Sequence, residues 1–138
     1  MSQAVVYTDG ACRNQGQANA KAGWGVFWGE NHPNNQCGPI PGHQDSNRAE
    51  LGAAQMAISK AAAKGFRGIT IYSDSQYVKD AVDNSAYFQQ SPVEKRDFQQ
   101  SINDLKSRIA VTVQLIRTGE GGNKGAHELA NKGVDVSA

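Results

Sequence analysis

Before Asp45, apolar and polar positions fall in short runs of the kind that strands produce. Ala4 to Thr8 is rich in β-branched and aromatic residues and is predicted to stop at Asp9-Gly10. Gly23 to Gly29 sets Trp24, Val26, Phe27 and Trp28 between glycines, and Gln15 to Ala20 before it suits a turn, so these two runs predict a hairpin. A weaker third strand is expected from Gln36 to Ile40, limited by Pro39 and Pro41, which cannot donate to a ladder. From Asp45 the period lengthens. Leu51, Ala54, Ile58, Ala61 and Ala62 recur at helical spacing in an alanine-rich segment that closes at Gly65. Gly68 to Asp74 reads as a strand leading into a second helix, Ser75 to Val82. Ser91-Pro92-Val93-Glu94 combines a cap, a first-turn proline and a capping-box acid, and starts a third helix with Phe98, Ile102, Leu105 and Ile109 as its stripe. Val111, Val113, Leu115 and Ile116 form another strand. Ala126, Leu129 and Ala130 seed a short last helix after the Gly119 to Gly122 loop.

Three strands, a helix, a strand, helices, a strand and a helix make an α/β chain. A hairpin followed by crossovers predicts a five-stranded mixed sheet with helices on both faces. Its 138 residues suit one domain spanning 1–138, because a chain of this length holds a single core without staples. The 14 Lys and Arg against 13 Asp and Glu leave a formal charge of +1, so no global field argues for a polyanion partner. Any such contact has to be local. Cys12 and Cys37 are too few for a disulfide scaffold and no spacing fits structural zinc. The N-terminus lacks a basic leader, and no run approaches the ~20 apolar residues of a membrane span. These features predict an intracellular, cytoplasmic chain, and Met1 just before the first strand implies a complete small protein.

Three acids stand where chemistry collects. Asp9 and Asp74 are expected to end strands one and four, and Glu50 lies in the first turn of the long helix. Each has a local alternative: Asp9-Gly10 as a turn, Asn47 to Glu50 as a capping box, Asp74-Ser75 as a helix cap. If strands one and four are neighbours, the three carboxylates converge. Like charges ~4 Å apart repel by about 4 kcal/mol at an effective dielectric near 20, so the trio wants a cation. Hard oxygen donors without a Cys or His cluster point to Mg²⁺ or Mn²⁺.

The segments Tyr7-Thr8-Asp9-Gly10-Ala11-Cys12, Asn47-Arg48-Ala49-Glu50-Leu51 and Tyr72-Ser73-Asp74-Ser75-Gln76-Tyr77-Val78 resemble, in order and spacing, the three leading motifs of type 1 ribonuclease H. The similarity extends to Gly23-Trp24-Gly25-Val26 and to Ala126-His127-Glu128-Leu129-Ala130. The resemblance implies the ribonuclease H-like fold and an endonuclease that cuts the RNA strand of RNA/DNA hybrids, leaving 5′-phosphate and 3′-OH ends. It implies two Mg²⁺ ions, or Mn²⁺, held by Asp9, Glu50 and Asp74 with Asp9 bridging, and His127 at the fourth metal and catalytic position. It further implies that Cys12, Asn14, Gln15, Ser46, Asn47 and Gln76 read the hybrid, whose 2′-OH distinguishes RNA from DNA. A monomer is expected.

Four departures from the family pattern bear on affinity and metal binding. His127 replaces the fourth carboxylate, and imidazole is a poor Mg²⁺ ligand, while the neighbouring Glu128 points about 100° away on a helix. The family's Gly-His-x-Gly loop is here Gly119-Glu120-Gly121-Gly122, with Glu120 as the only acid/base group. The basic, Trp-rich protrusion is absent; Asn84 to Gln90 offers Tyr87 and Phe88 alone. Pro41-Gly42-His43-Gln44-Asp45 puts an acid where a basic residue and a Thr commonly hold a DNA phosphate. The alternatives are a catalytically weakened hybrid-binding module and another nuclease of the superfamily. With three acids set aside for metal, Arg13, Lys21, Arg48, Lys79 and Lys124 remain as candidates for phosphate contacts, which predicts weak hybrid binding with a shallow salt slope.

Overall fold

β1 (Gln3–Arg13) is the axis on which the molecule is built. Its first half pairs in parallel with β4 (Gly68–Ser73), from Gln3 opposite Gly68 to Tyr7 opposite Tyr72. Its second half pairs antiparallel with β2 (Lys21–Phe27), from Tyr7 opposite Phe27 to Arg13 opposite Lys21. β3 (Gln36–Pro39) extends one edge and β5 (Ala110–Leu115) the other, giving a five-stranded mixed sheet ordered β3-β2-β1-β4-β5. The computed structural model describes residues 3–83 and 96–136. Four helices lie within those residues: α1 (Ser46–Ala63), α2 (Gln76–Asp83), α3 (Arg96–Leu105) and α4 (Asn123–Val136).

The two faces of the sheet follow from the pairing register. Gly10 stands opposite Trp24, and Asp9 opposite Gly25, so the two pairs point to opposite faces. A Cβ at Gly10 would strike the backbone of Ala49 and Glu50, which places α1 directly on that face. A Cβ at Gly25 would sit 2.5 Å from Ala126 O and Ala130 N, which places α4 on the other. Absence of a side chain at these two positions is what lets both helices approach the strand backbone. The core beneath α1 is filled by Leu51, Ile58, Val6, Ile69 and Ile71, and α3 adds Ile102 and Leu105, with Ile109 just beyond its end.

Several expectations need correction. β1 does not stop at Asp9-Gly10: the ladder with β2 continues to Arg13, and the reversal is made by Asn14 and Gly16, at φ 56° and 83°. β2 ends at Phe27 rather than Gly29, where φ of 149° breaks the extended run. The cap of α1 is Asp45, whose carboxylate accepts from Arg48 N at 3.2 Å, not Asn47. The last helix is not short but 14 residues, because Gly133 and Val134 carry its buried face along β2 and β3. Ile102, Leu105 and Ile109 are buried and Phe98 packs against the core, but the helix ends at Leu105, so Ile109 reaches the core from the turn before β5 and not from the helical stripe. The Ser91 to Glu94 cap and the Tyr87 and Phe88 pair lie outside the described residues.

Candidate active site

β4 ends at Ser73 while β1 runs on, so beyond Tyr7 one edge of β1 has no strand beside it among the described residues. Continuing the parallel register by two residues sets Asp9 beside Asp74. On this uncovered edge the Gly10 amide donates to Glu50 Oε1 at 3.1 Å and to Asp9 Oδ1 at 2.9 Å. Asp9 thus faces the α4 side, Glu50 arrives from α1 on the opposite face, and the gap left by β4 is where they meet. One carboxylate oxygen from each of Asp9, Glu50 and Asp74 lies within 4.8 Å of the other two.

The local alternatives for these acids are thereby settled. Asp9-Gly10 is strand, not turn. Glu50 binds the Gly10 amide instead of closing a capping box, because Asp45 already caps the helix. Ser75 Oγ accepts from Val78 N at 3.2 Å and so caps α2, leaving Asp74 free of that role.

Crowding shifts the acids. Burial, then the charges of Asp9 and Asp74, push the Glu50 carboxyl up to about 9. Burial and the Asp74 charge likewise raise Asp9, opposed by hydrogen bonds from His127 and the Gly10 amide. Three oxygen donors that resist joint ionisation are a set that a hard divalent cation would stabilise.

His127, on the first turns of α4, reaches the site through one contact, Nδ1 to Asp9 Oδ2 at 3.0 Å. It is not part of the mutually close trio. Asn131, one turn further on, places its amide nitrogen 3.2 Å from His127 Nε2. Thr118, after β5, donates its hydroxyl to Asp74 Oδ2 at 2.9 Å. Neither Thr118 nor Asn131 is among the residues expected from sequence; only the i, i+4 spacing of Asn131 from His127 could have signalled one of them.

The residues expected to read a substrate form two groups. Half-buried Cys12 and exposed Asn14 and Gln15 lead into the β1–β2 turn, and Gln15 Oε1 accepts from Ser46 N at 2.8 Å, joining that turn to the α1 start where Ser46 and Asn47 lie. Gln76 stands on the opposite side, at the start of α2, and donates to Asp80 at 2.8 Å. Glu120 does not turn to the carboxylates; it accepts from Arg117 N within its own loop at 2.9 Å. Arg48 is not a surface cation: buried on α1, it holds Asp97 at 2.6 Å and the Pro41 carbonyl, beneath Phe98. Arg13 pairs with Asp135, and Lys79 with Asp83.

An open mixed sheet with a carboxylate cluster at the point where its central strand changes partners defines an α/β protein with oxygen donors suited to a hard divalent cation. The ribonuclease H (RNase H) family profile matches residues 1–135, and the chain belongs to the ribonuclease H family. It is 32% identical over 143 residues to ribonuclease HI of Pseudomonas aeruginosa, covering 96% of this chain and 93% of that protein. Over 80 residues it is 42% identical to ribonuclease H1 of Rattus norvegicus, a match covering 58% of this chain and 28% of the length of the rat protein. Among solved structures, LC11-RNase H1 in complex with an RNA/DNA hybrid superposes with a TM-score of 0.74 at 20% identity, over 96% of this chain and 97% of that one. Among the described residues, no helix is long and apolar enough to cross a membrane.

Proposed function

We propose that the chain is a single ribonuclease H domain, monomeric, that hydrolyses the RNA strand of RNA/DNA hybrids internally and leaves 5′-phosphate and 3′-OH ends. The observation that carries this reading is the convergence of Asp9, Glu50 and Asp74, from three different elements, within 4.8 Å. Family membership and a structural relative that binds a hybrid support the substrate. Two divalent cations, Mg²⁺ or Mn²⁺, held by Asp9, Glu50 and Asp74 would supply Lewis acidity to the phosphodiester.

The chain's own residues do the positioning. Buried Asp9 at the centre, with Glu50 from α1 and Asp74 from the end of β4, would hold the cations. The Gly10 amide fixes the orientation of Asp9 and Glu50 together, so little reorganisation accompanies metal uptake. Cys12, Asn14, Gln15, Ser46 and Asn47 on one side and Gln76 on the other take the role of hybrid contacts. Gln15 uses its carbonyl oxygen on the Ser46 amide and keeps its NH₂ for the hybrid, beside the amides of Asn14 and Asn47.

A hybrid with internally labelled RNA tests the reading. Cleavage is expected with Mg²⁺ or Mn²⁺ and none with EDTA, and Asp74→Asn should abolish it while the circular dichroism spectrum is unchanged. Retained cleavage in that variant overturns the metal site. Hybrid binding without turnover in either metal overturns the nuclease reading in favour of a binding module.

A further inference from the structure

The side-chain nitrogen of Asn131 lies 3.2 Å from the backbone carbonyl oxygen of His127 and 3.2 Å from His127 Nε2. A carbonyl oxygen only accepts, so the atom facing it has to be the amide NH₂; the flipped amide would set two oxygens against each other. That assignment fixes the imidazole. The second hydrogen of the same NH₂ points at Nε2, which therefore accepts and carries no proton, and the ring proton resides on Nδ1. Nδ1 lies 3.0 Å from Asp9 Oδ2, and with its proton it donates to that carboxylate.

We propose that Asn131 is a positioning residue: by holding His127 as the Nδ1–H tautomer, it makes the imidazole a hydrogen-bond donor that orients Asp9 rather than a fourth metal ligand. The position where the family pattern has a carboxylate is thus used from outside the metal shell. A nitrogen that donates its hydrogen to Asp9 has no lone pair for a cation, and Nε2 is turned to Asn131. The arrangement also suits the metal, because a protonated Nδ1 leaves Mg²⁺ surrounded by the oxygen donors it prefers. Outer groups of this kind fix ligand geometry and carry a measurable share of metal affinity.

The inference rests on Asp9 being a metal ligand, and its test does not depend on hybrid cleavage. With three histidines in the chain, the His127 ring nitrogens are assigned in ¹⁵N-labelled protein by loss of their signals in His127→Asn. The neutral ring of the metal-free protein should show a protonated Nδ1 and a bare Nε2. Saturating Mg²⁺ should leave that proton in place. Asn131→Leu, at a half-buried position of α4, should let the Nε2–H form appear and weaken Mg²⁺ binding measured by calorimetry by up to about tenfold. A dominant Nε2–H form in the unsubstituted protein, loss of the Nδ1 proton on adding Mg²⁺, or an Asn131→Leu variant unchanged in both tautomer and affinity would each overturn the proposal. Failure of cleavage with the tautomer intact would count against the nuclease reading alone.

Discussion

The Thr118 hydroxyl donates to Asp74 Oδ2 at 2.9 Å, joining the segment after β5 to the carboxylate at the end of β4. Thr118 is exposed, and the loop that follows lies on Tyr7, so closely that a Cβ at Gly122 would enter the Tyr7 ring. Tyr7 in turn stacks on Tyr72 at 5.0 Å, so the loop and both strands are fixed to one another beside the site. Thr118→Val keeps the shape and removes the donor. It should lower apparent Mg²⁺ affinity by about tenfold, whereas Thr118→Ser should stay near the parent value. Metal-dependence curves of hybrid cleavage for the two variants decide this, and equal curves would show that the hydroxyl is idle.

Gly10→Ala tests how α1 is seated. The added Cβ would lie 2.8 Å from Ala49 Cβ and closer still to the backbone of Ala49 and Glu50, and neither backbone segment can step aside alone. The helix has to lift, at a cost of about 1–3 kcal/mol for overpacking. Glu50 lifts with it, away from the amide that holds it. The variant should therefore lose both stability in denaturant and metal affinity, while Glu50→Gln should lose affinity only.

Much of this arrangement was legible from residue pattern, and what was not has a physical cause. The β-rich runs of β1 and β2 and the helical spacing of Ile102 and Leu105 report burial directly, because each is a local consequence of facing a core. Asp9 and Asp74 were visible together because a parallel pairing of β1 and β4 aligns their neighbourhoods. Asp9-Gly10 misled because the pair suits a turn equally well; only the neighbour that α1 presses on Gly10 distinguishes the two. Arg48 looked like a phosphate contact because a cation in a helix's first turn carries no mark of burial. Its partner Asp97 is 49 residues away, on a helix whose docking no local period describes. Thr118 was hidden for the same reason, its contact with Asp74 spanning 44 residues.

The shift at Glu50 has a consequence for stability. Its carboxyl, raised from 4.5 to about 9, stays protonated in the folded protein over a range where the unfolded chain ionises it. The folded state then binds more protons than the unfolded one, so the stability of the metal-free protein falls as pH rises from about 4.5 to about 9. The raised Asp9 acts in the same direction. Glu50→Gln should flatten this decline, and Mg²⁺ should reverse it, since cation uptake displaces the proton and strengthens with pH. Denaturation midpoints across that range, with and without Mg²⁺, provide the check. A midpoint that climbs with pH in the absence of metal would show that the carboxylates are not crowded in solution.

The remaining prediction concerns salt. Of the five cations that sequence offered for phosphate contacts, Arg48 is enclosed by Asp97 and the Pro41 carbonyl, Arg13 is paired with Asp135, and Lys79 holds Asp83 and the Val113 carbonyl. Lys21 and Lys124 are exposed, and Lys21 lies near enough to Asp135 for its charge to act on that carboxylate. Counterion release scales with the number of phosphates neutralised, so two or three such contacts give a slope of log K against log salt of only about −2 to −3. Binding to a non-cleavable hybrid in Ca²⁺ should follow that shallow line, and Lys124→Ala should reduce the slope by about one. Arg48→Met should leave the slope unchanged while lowering the unfolding temperature, because its charge serves the α1–α3 contact. A slope as steep as about −6, or one that drops on replacing Arg48, would overturn this assignment of the phosphate contacts.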